Sequence, residues 1–150
     1  MRESTRLPSR LQDAPWSQGV VRPRVAVMTS RISELVVDCR DPQRLAPFWC
    51  EVLGFVVLDT DEGAIEIGPP EGFGGLQPTL VFSPTTEPKV GKLRLHIDIN
   101  PTDRGQEAEL ERLVAIGARS ADIGQTGAER WHVLADPEGN EFCLLRAQLN

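Results

Sequence analysis

Ile32-Ser-Glu-Leu-Val-Val-Asp-Cys-Arg-Asp41 and Arg94-Leu-His-Ile-Asp-Ile-Asn-Pro-Thr-Asp103 are two versions of one pattern. Each is an alternating strand that ends at an aspartate, followed by an apolar stripe at helical spacing and then a glycine. In the first copy Leu45, Phe48, Trp49 and Val52 lead to Gly54; in the second Leu110, Leu113 and Val114 lead to Gly117. Glu34 and His96 stand 62 residues apart, as do Asp41 and Asp103, while the two glycines stand 63 apart, so one residue has been inserted. Such self-similarity bounds the architecture before any single motif is read. Two copies are too few for a solenoid. They predict a pair of modules with a cleft between or within them.

Outward from these stretches the elements follow in order. Asp41-Pro42 reads as a helix start, with Asp as N-cap and Pro at the first helical position, and Gly54 as the C-cap. Pro47 inside that helix is expected to kink its first turn or delay its start. Strands are expected over 32–39, 55–59, 64–67 and 79–83, with Asp61-Glu62-Gly63 as a turn. The second half gives a strand over 93–99 and a helix over 103–116 whose Asp103 and Gln106 form a capping box. Strands at 118–123, 130–135 and 140–146 follow, the last two joined by the Asp136-Pro137-Glu138-Gly139 turn. The fold class is therefore α+β, two tandem βαβββ modules: module one over 31–84, a linker over 85–91, and module two over 92–150.

Residues 1–30 carry no apolar period and are expected to be a disordered extension, with Met28 as an alternative start. Arg2, Arg6, Arg10, Arg22 and Arg24 against Glu3 and Asp13 leave this segment at +3, so the remainder of a chain of net charge −6 carries −9. An acidic globule repels phosphate backbones, which excludes a nucleic-acid partner. No apolar run approaches the roughly 20 residues of a membrane span. Cys39, Cys50 and Cys143 are odd in number and lack a CxxC spacing, the usage of reduced thiols in a cytoplasmic protein.

Asp-Pro-Glu-Gly-Asn-Glu-Phe at 136–142, the helix from Leu45 to Phe55, and Leu95-His96-Ile97-Asp98 together resemble the vicinal oxygen chelate superfamily. That group holds glyoxalases, bleomycin-resistance proteins and extradiol dioxygenases, and the likeness covers residues 32–146, nearest to the glyoxalase-like branch. It implies an incomplete barrel with a concave cavity, and a homodimer. It does not select a chemistry, because one scaffold hosts many.

Strand alternation picks the cavity-facing side chains. Leu35, Val37, Ile97, Ile99, Phe142 and Leu144 share the parity that packs under the helices. Glu34, Val36, Asp38, Arg94, His96, Asp98, Glu141, Cys143 and Leu145 point the other way. The superfamily's metal positions fall on Glu34, Val81, His96 and Cys143. Glu34 and His96 suit a divalent metal such as zinc, but Val81 has no donor atom and Cys143 replaces the usual carboxylate, so the set is incomplete.

Glu34 and His96 are the expected catalytic or metal-binding centre, with Asp38, Arg94, Asp98, Cys143 and Trp131 as ligand-binding residues. The plainer readings are a hydrogen-bonded Glu34–His96 pair and a buried, inert Cys143. The Gly72-Phe73-Gly74-Gly75 loop lacks the Lys and Ser/Thr of a phosphate cradle and is expected to act as a cavity lid. Three functions remain open. One is a small-molecule binder with a polar cavity, of which antibiotic sequestration of the bleomycin type is one form. Another is a glyoxalase-type lyase or isomerase, or a dioxygenase-type enzyme, acting on a small carbonyl or vicinal-oxygen compound. The third is a module with a vestigial cavity.

Overall fold

The computed structural model describes residues 30–149. The extension expected over 1–30, Met28 included, lies outside them apart from Ser30. In chain order the elements are β1 (Glu34–Cys39), α1 (Pro42–Leu53), β2 (Val56–Asp61), β3 (Ala64–Gly68) and β4 (Thr79–Pro84), then β5 (Ile97–Ile99), α2 (Gln106–Ala115), β6 (Arg119–Ser120), β7 (His132–Ala135) and β8 (Glu141–Leu144). Each half forms a four-stranded sheet, ordered β1-β4-β3-β2 and β5-β8-β7-β6. Neither closes into a barrel. β1 runs parallel to β4, and β5 parallel to β8, the only parallel pairs among the described residues in otherwise antiparallel ladders.

The duplication is exact at the level of register. Leu35↔Leu80, Val36↔Val81 and Val37↔Phe82 in the first sheet answer Ile97↔Phe142, Asp98↔Cys143 and Ile99↔Leu144 in the second. Both members of every pair are offset by the same 62 positions that separate Glu34 from His96. The intervening strands do not keep that offset, because the loops before them differ in length.

Helix α1 starts and stops where its caps dictate. The Asp41 side chain accepts from the Arg44 N–H at 3.2 Å, Pro42 fills the first turn, and Gly54 takes φ +67°, a conformation any Cβ would strain. Pro47 lies inside the helix on its exposed side and does not delay the start. Helix α2 departs from expectation. It begins at Gln106 behind Gly105, with no side-chain cap. Asp103 instead binds the Arg104 guanidinium at 2.7 and 2.9 Å, and the Gln106 side chain donates to the Arg130 and Leu144 carbonyls. The capping box is therefore absent; its two side chains serve a local ion pair and the link to β8. The second sheet is also shorter than its sequence pattern, since Leu93–His96 finds no ladder partner before Ile97.

One hydrophobic core serves both modules. Ile65, Ile67, Leu80 and Phe82 from the first sheet and Ile99, Leu134, Phe142 and Leu144 from the second meet Leu45, Phe48 and Trp49 of α1 and Leu113 of α2. Phe142 stands edge-on to Phe48 at 6.2 Å and to Trp49 at 5.2 Å between ring centres. Each such aromatic pair adds about 0.5–1.5 kcal/mol beyond burial.

Polar contacts grip α1 from the second module at both ends. The Glu138 carboxyl accepts the Arg40 and Asp41 N–H groups at 2.8 and 2.6 Å, just before the helix begins. Arg112 donates to the Glu51 and Val52 carbonyls at its end, at 3.0 and 3.5 Å. An acid at the N-terminus and a cation at the C-terminus both match the helix dipole. Between them the fully buried Asp136 accepts the Trp49 indole N–H at 3.2 Å. The same carboxyl takes the Glu138 and Asn140 N–H groups and the Asn140 amide at 2.9–3.0 Å. The Asp136–Asn140 turn is thus the joint between modules.

Candidate functional site

The sheets each turn one set of alternate side chains into the core and leave the other set on the face away from it. In the first sheet Glu34, Thr79, Val81 and Glu66 share that outer face, because Glu34 pairs with Thr79 and Glu66 with Val81. In the second, Asp98, Cys143 and Val133 occupy one row. Cys143 and Val133 are buried yet stand outside the core cluster, as this parity requires.

The residues on these faces differ in their surroundings. Thr79 is fully buried, and its hydroxyl has no hydrogen-bond partner among the described residues. The Leu58 and Thr79 side chains close over Gly68, where an added Cβ would meet them at 2.6 and 2.8 Å. Glu66 is half-buried, with one carboxyl oxygen, Oε1, buried and unpartnered. Glu34 itself is exposed.

His96 immediately precedes β5, half-buried, with its Nδ1 3.8 Å from Cys143 Sγ. Burial, and then the neighbouring Asp98 carboxyl, push the Cys143 thiol up to about 11. The sulfur therefore keeps its proton at neutral pH, with both Nδ1 and the Asp98 carboxyl in reach as acceptors. His96 Nε2 is buried and has no partner among the described residues. The arrangement leaves one ring nitrogen of His96 open to a ligand, as donor or acceptor according to the tautomer.

The other expected site residues are dispersed. Among the described residues no ion pair within 4.0 Å joins Glu34 to His96. Arg94 and Asp98 are exposed. Trp131, 45 % exposed, lines an open cleft of about 700 Å³ with His132, Arg130, Arg146 and Gln106. Asp38 lines a different cavity, at the seam of the modules. The Gly72–Gly75 loop lines neither space, so the lid expected of it is not formed over them. Sequence reasoning missed Glu66 and Thr79. The signal for Glu66 was present: it interrupts Ile65 and Ile67, both buried, with a carboxylate in a central strand.

A metal does not fit the donor set. Val81 offers no ligand atom, and no group of three His, Cys, Asp or Glu side chains among the described residues could hold an ion.

Residues 34–145 match the family model of the glyoxalase-like domain. The chain belongs to that family. Its fold is shared with solved members of the glyoxalase, bleomycin-resistance and dioxygenase group. One is a glyoxalase/bleomycin resistance protein/dioxygenase family enzyme from Burkholderia phytofirmans, 16% identical with a TM-score of 0.57 over 77% of this chain and 97% of that one. A second is the fosfomycin resistance protein FosX from Mesorhizobium loti, 15% identical with a TM-score of 0.60 over 81% and 96%. A third is TnmS3, an antibiotic binding protein from Streptomyces, 20% identical with a TM-score of 0.52 over 81% and 99%. At these identities the likeness is one of fold. No curated protein sequence matches the chain. FosX from Listeria monocytogenes has been solved with Mn(II), an ion for which this glyoxalase-like domain lacks the donors just described. Among the described residues no helix is long and apolar enough to cross a membrane.

Proposed function

We propose that this glyoxalase-like domain binds a small polar molecule on the outer faces of its sheets, with His96, Glu66 and Thr79 as its polar contacts. One observation carries the reading. The buried side-chain atoms without a hydrogen-bond partner among the described residues are Glu66 Oε1, Thr79 Oγ1 and His96 Nε2. Glu66 and Thr79 lie on the outer face of the first sheet, and His96 contacts Cys143 on that of the second. An unpaired buried polar group costs about 1–3 kcal/mol, so three together are a standing demand for a partner that a ligand can meet. Glu66 calls for a donor, while His96 Nε2 and the Thr79 hydroxyl can each serve as donor or acceptor. The reading favours binding without a resident metal, and the antibiotic-binding neighbour makes sequestration of a toxic small molecule its leading form.

The test is native mass spectrometry after incubation with a metabolite extract and repurification. The wild-type chain is expected to retain a small-molecule adduct that His96→Ala loses. The same variant should cost only about 1–2 kcal/mol in a denaturant melt, the worth of one weak hydrogen bond and part-buried packing. Identical adducts on both chains, or none on either, would refute the reading.

A further inference from the structure

The edge strands β1 and β5 do not pair with each other, and a cavity of about 290 Å³ lies where their modules meet. Leu80, Phe82 and Trp49 line it from the first module, and Leu93, Leu95 and Ile97 from the second. Val36 and Leu95 line it too and remain 60 % and 65 % exposed, so apolar surface continues to the outside. None of Glu66, Thr79, His96 or Cys143 borders this space. It adjoins the outer face, since Val36 and Asp38 share the parity of Glu34, but does not reach those four side chains.

Its polar lining is one-signed. Asp38, Asp136 and Glu141 contribute carboxyl groups, and among the described residues no cationic side chain lines the cavity. Asp136 is saturated by the donors of its turn and by Trp49. Glu141 is held by Lys89 at 2.7 Å and by the Leu93 N–H at 3.1 Å. Asp38 makes no hydrogen bond or ion pair among the described residues.

We propose that the seam cavity is a second binding site, for a small primary ammonium compound whose aromatic or branched aliphatic body enters between Phe82, Trp49 and Ile97 while its charge meets Asp38. The volume sets the size of the ligand, since small-molecule pockets run from roughly 300 to 1,000 Å³ and this one lies at the lower limit. The apolar walls supply affinity through desolvation. The unneutralised carboxylate supplies the selection for charge.

The probes are 2-phenylethylammonium, the neutral 2-phenylethanol and the anionic 3-phenylpropanoate, titrated calorimetrically into the full chain at low ionic strength. The ammonium ion is expected to bind about fivefold more tightly than the alcohol, the worth of a partly screened ion pair, and the carboxylate to bind least. Asp38→Asn, an isosteric change at an exposed side chain without partners, should remove the preference and leave the alcohol unaffected. Val36→Trp at the mouth should weaken both, and His96→Ala neither. Equal binding of ammonium and alcohol, an unchanged preference in Asp38→Asn, or no heat from any probe at millimolar concentration would overturn the proposal. A loss of ammonium binding in His96→Ala would place the ligand on the outer face and overturn it equally.

Discussion

Asp136→Ala should be among the most damaging single changes in this domain, and the structure gives the size of the effect. The carboxyl is fully buried and accepts four hydrogen bonds. Removing it strands the Trp49 indole N–H inside the joint, which costs about 1–3 kcal/mol. The three donors within the turn are part-buried, can recruit water and lose less each, so the total comes to about 3–5 kcal/mol. That is a large share of the 5–15 kcal/mol typical of a whole domain. Asp136→Asn should cost roughly half as much. It keeps an acceptor for the Glu138 and Asn140 N–H groups but turns an amide toward Trp49 and the Asn140 side chain, which both donate. Trp49→Phe removes the stranded donor, so the Asp136→Asn/Trp49→Phe double variant should fall short of additivity by about 1 kcal/mol. Urea unfolding followed by far-ultraviolet circular dichroism measures all four variants. A cost below about 1 kcal/mol for Asp136→Ala, or additivity within about 0.5 kcal/mol in the cycle, would refute the assignment of Asp136 as the joint.

Glu138→Ala removes the acceptor of two N–H groups at the start of α1 and should cost about 1–2 kcal/mol, less at high salt, read from urea midpoints with and without added chloride. Gly68→Ala drives a methyl into Leu58 and Thr79 and should cost about 1–3 kcal/mol in the same melt, with Leu58→Ala as a partial suppressor. Alkaline stability follows from the thiols. Cys39 and Cys143 are raised from 9.0 to about 12 and about 11, so the stability they lend is fully present below pH 9 and is lost as pH climbs through their folded values. Urea midpoints should fall from pH 9 upward, and Cys39→Ala should flatten that fall; the chain has no tyrosine to titrate in the same window. A profile unchanged by the substitution would remove the thiol from the account.

What could be read from the sequence was whatever is written in periods. The 62-residue offset carried the repeat of strand and helix in both modules, and alternation carried which side chains of those strands enter the core. The caps of α1 were equally plain, since Asp41-Pro42 and Gly54 act on their own neighbours. Failures came where a residue had a distant alternative. Asp103 and Gln106 have the spacing of a capping box, yet Arg104 and two carbonyls far along the chain compete for them and win. Glu138 read as a turn residue; that it reaches back 97 and 98 residues to the start of α1 is a tertiary fact with no local trace. The site behaves alike. The Cys143–His96 contact follows from parity, whereas the unpartnered atoms of Glu66 and Thr79 emerge only once burial is known.

Helix α1 belongs to the first half by sequence and to both halves by contact, which bears on how a duplicated domain can be divided. A cut in the linker at 85–91 would leave one fragment whose helix ends face water and another whose Asp136, Glu138 and Phe142 have nothing to close upon. Neither piece would hold a compact shape by itself. Mixed together they would complement each other, with α1 as the shared key, so this two-part chain is divisible in its gene yet indivisible in its cooperativity.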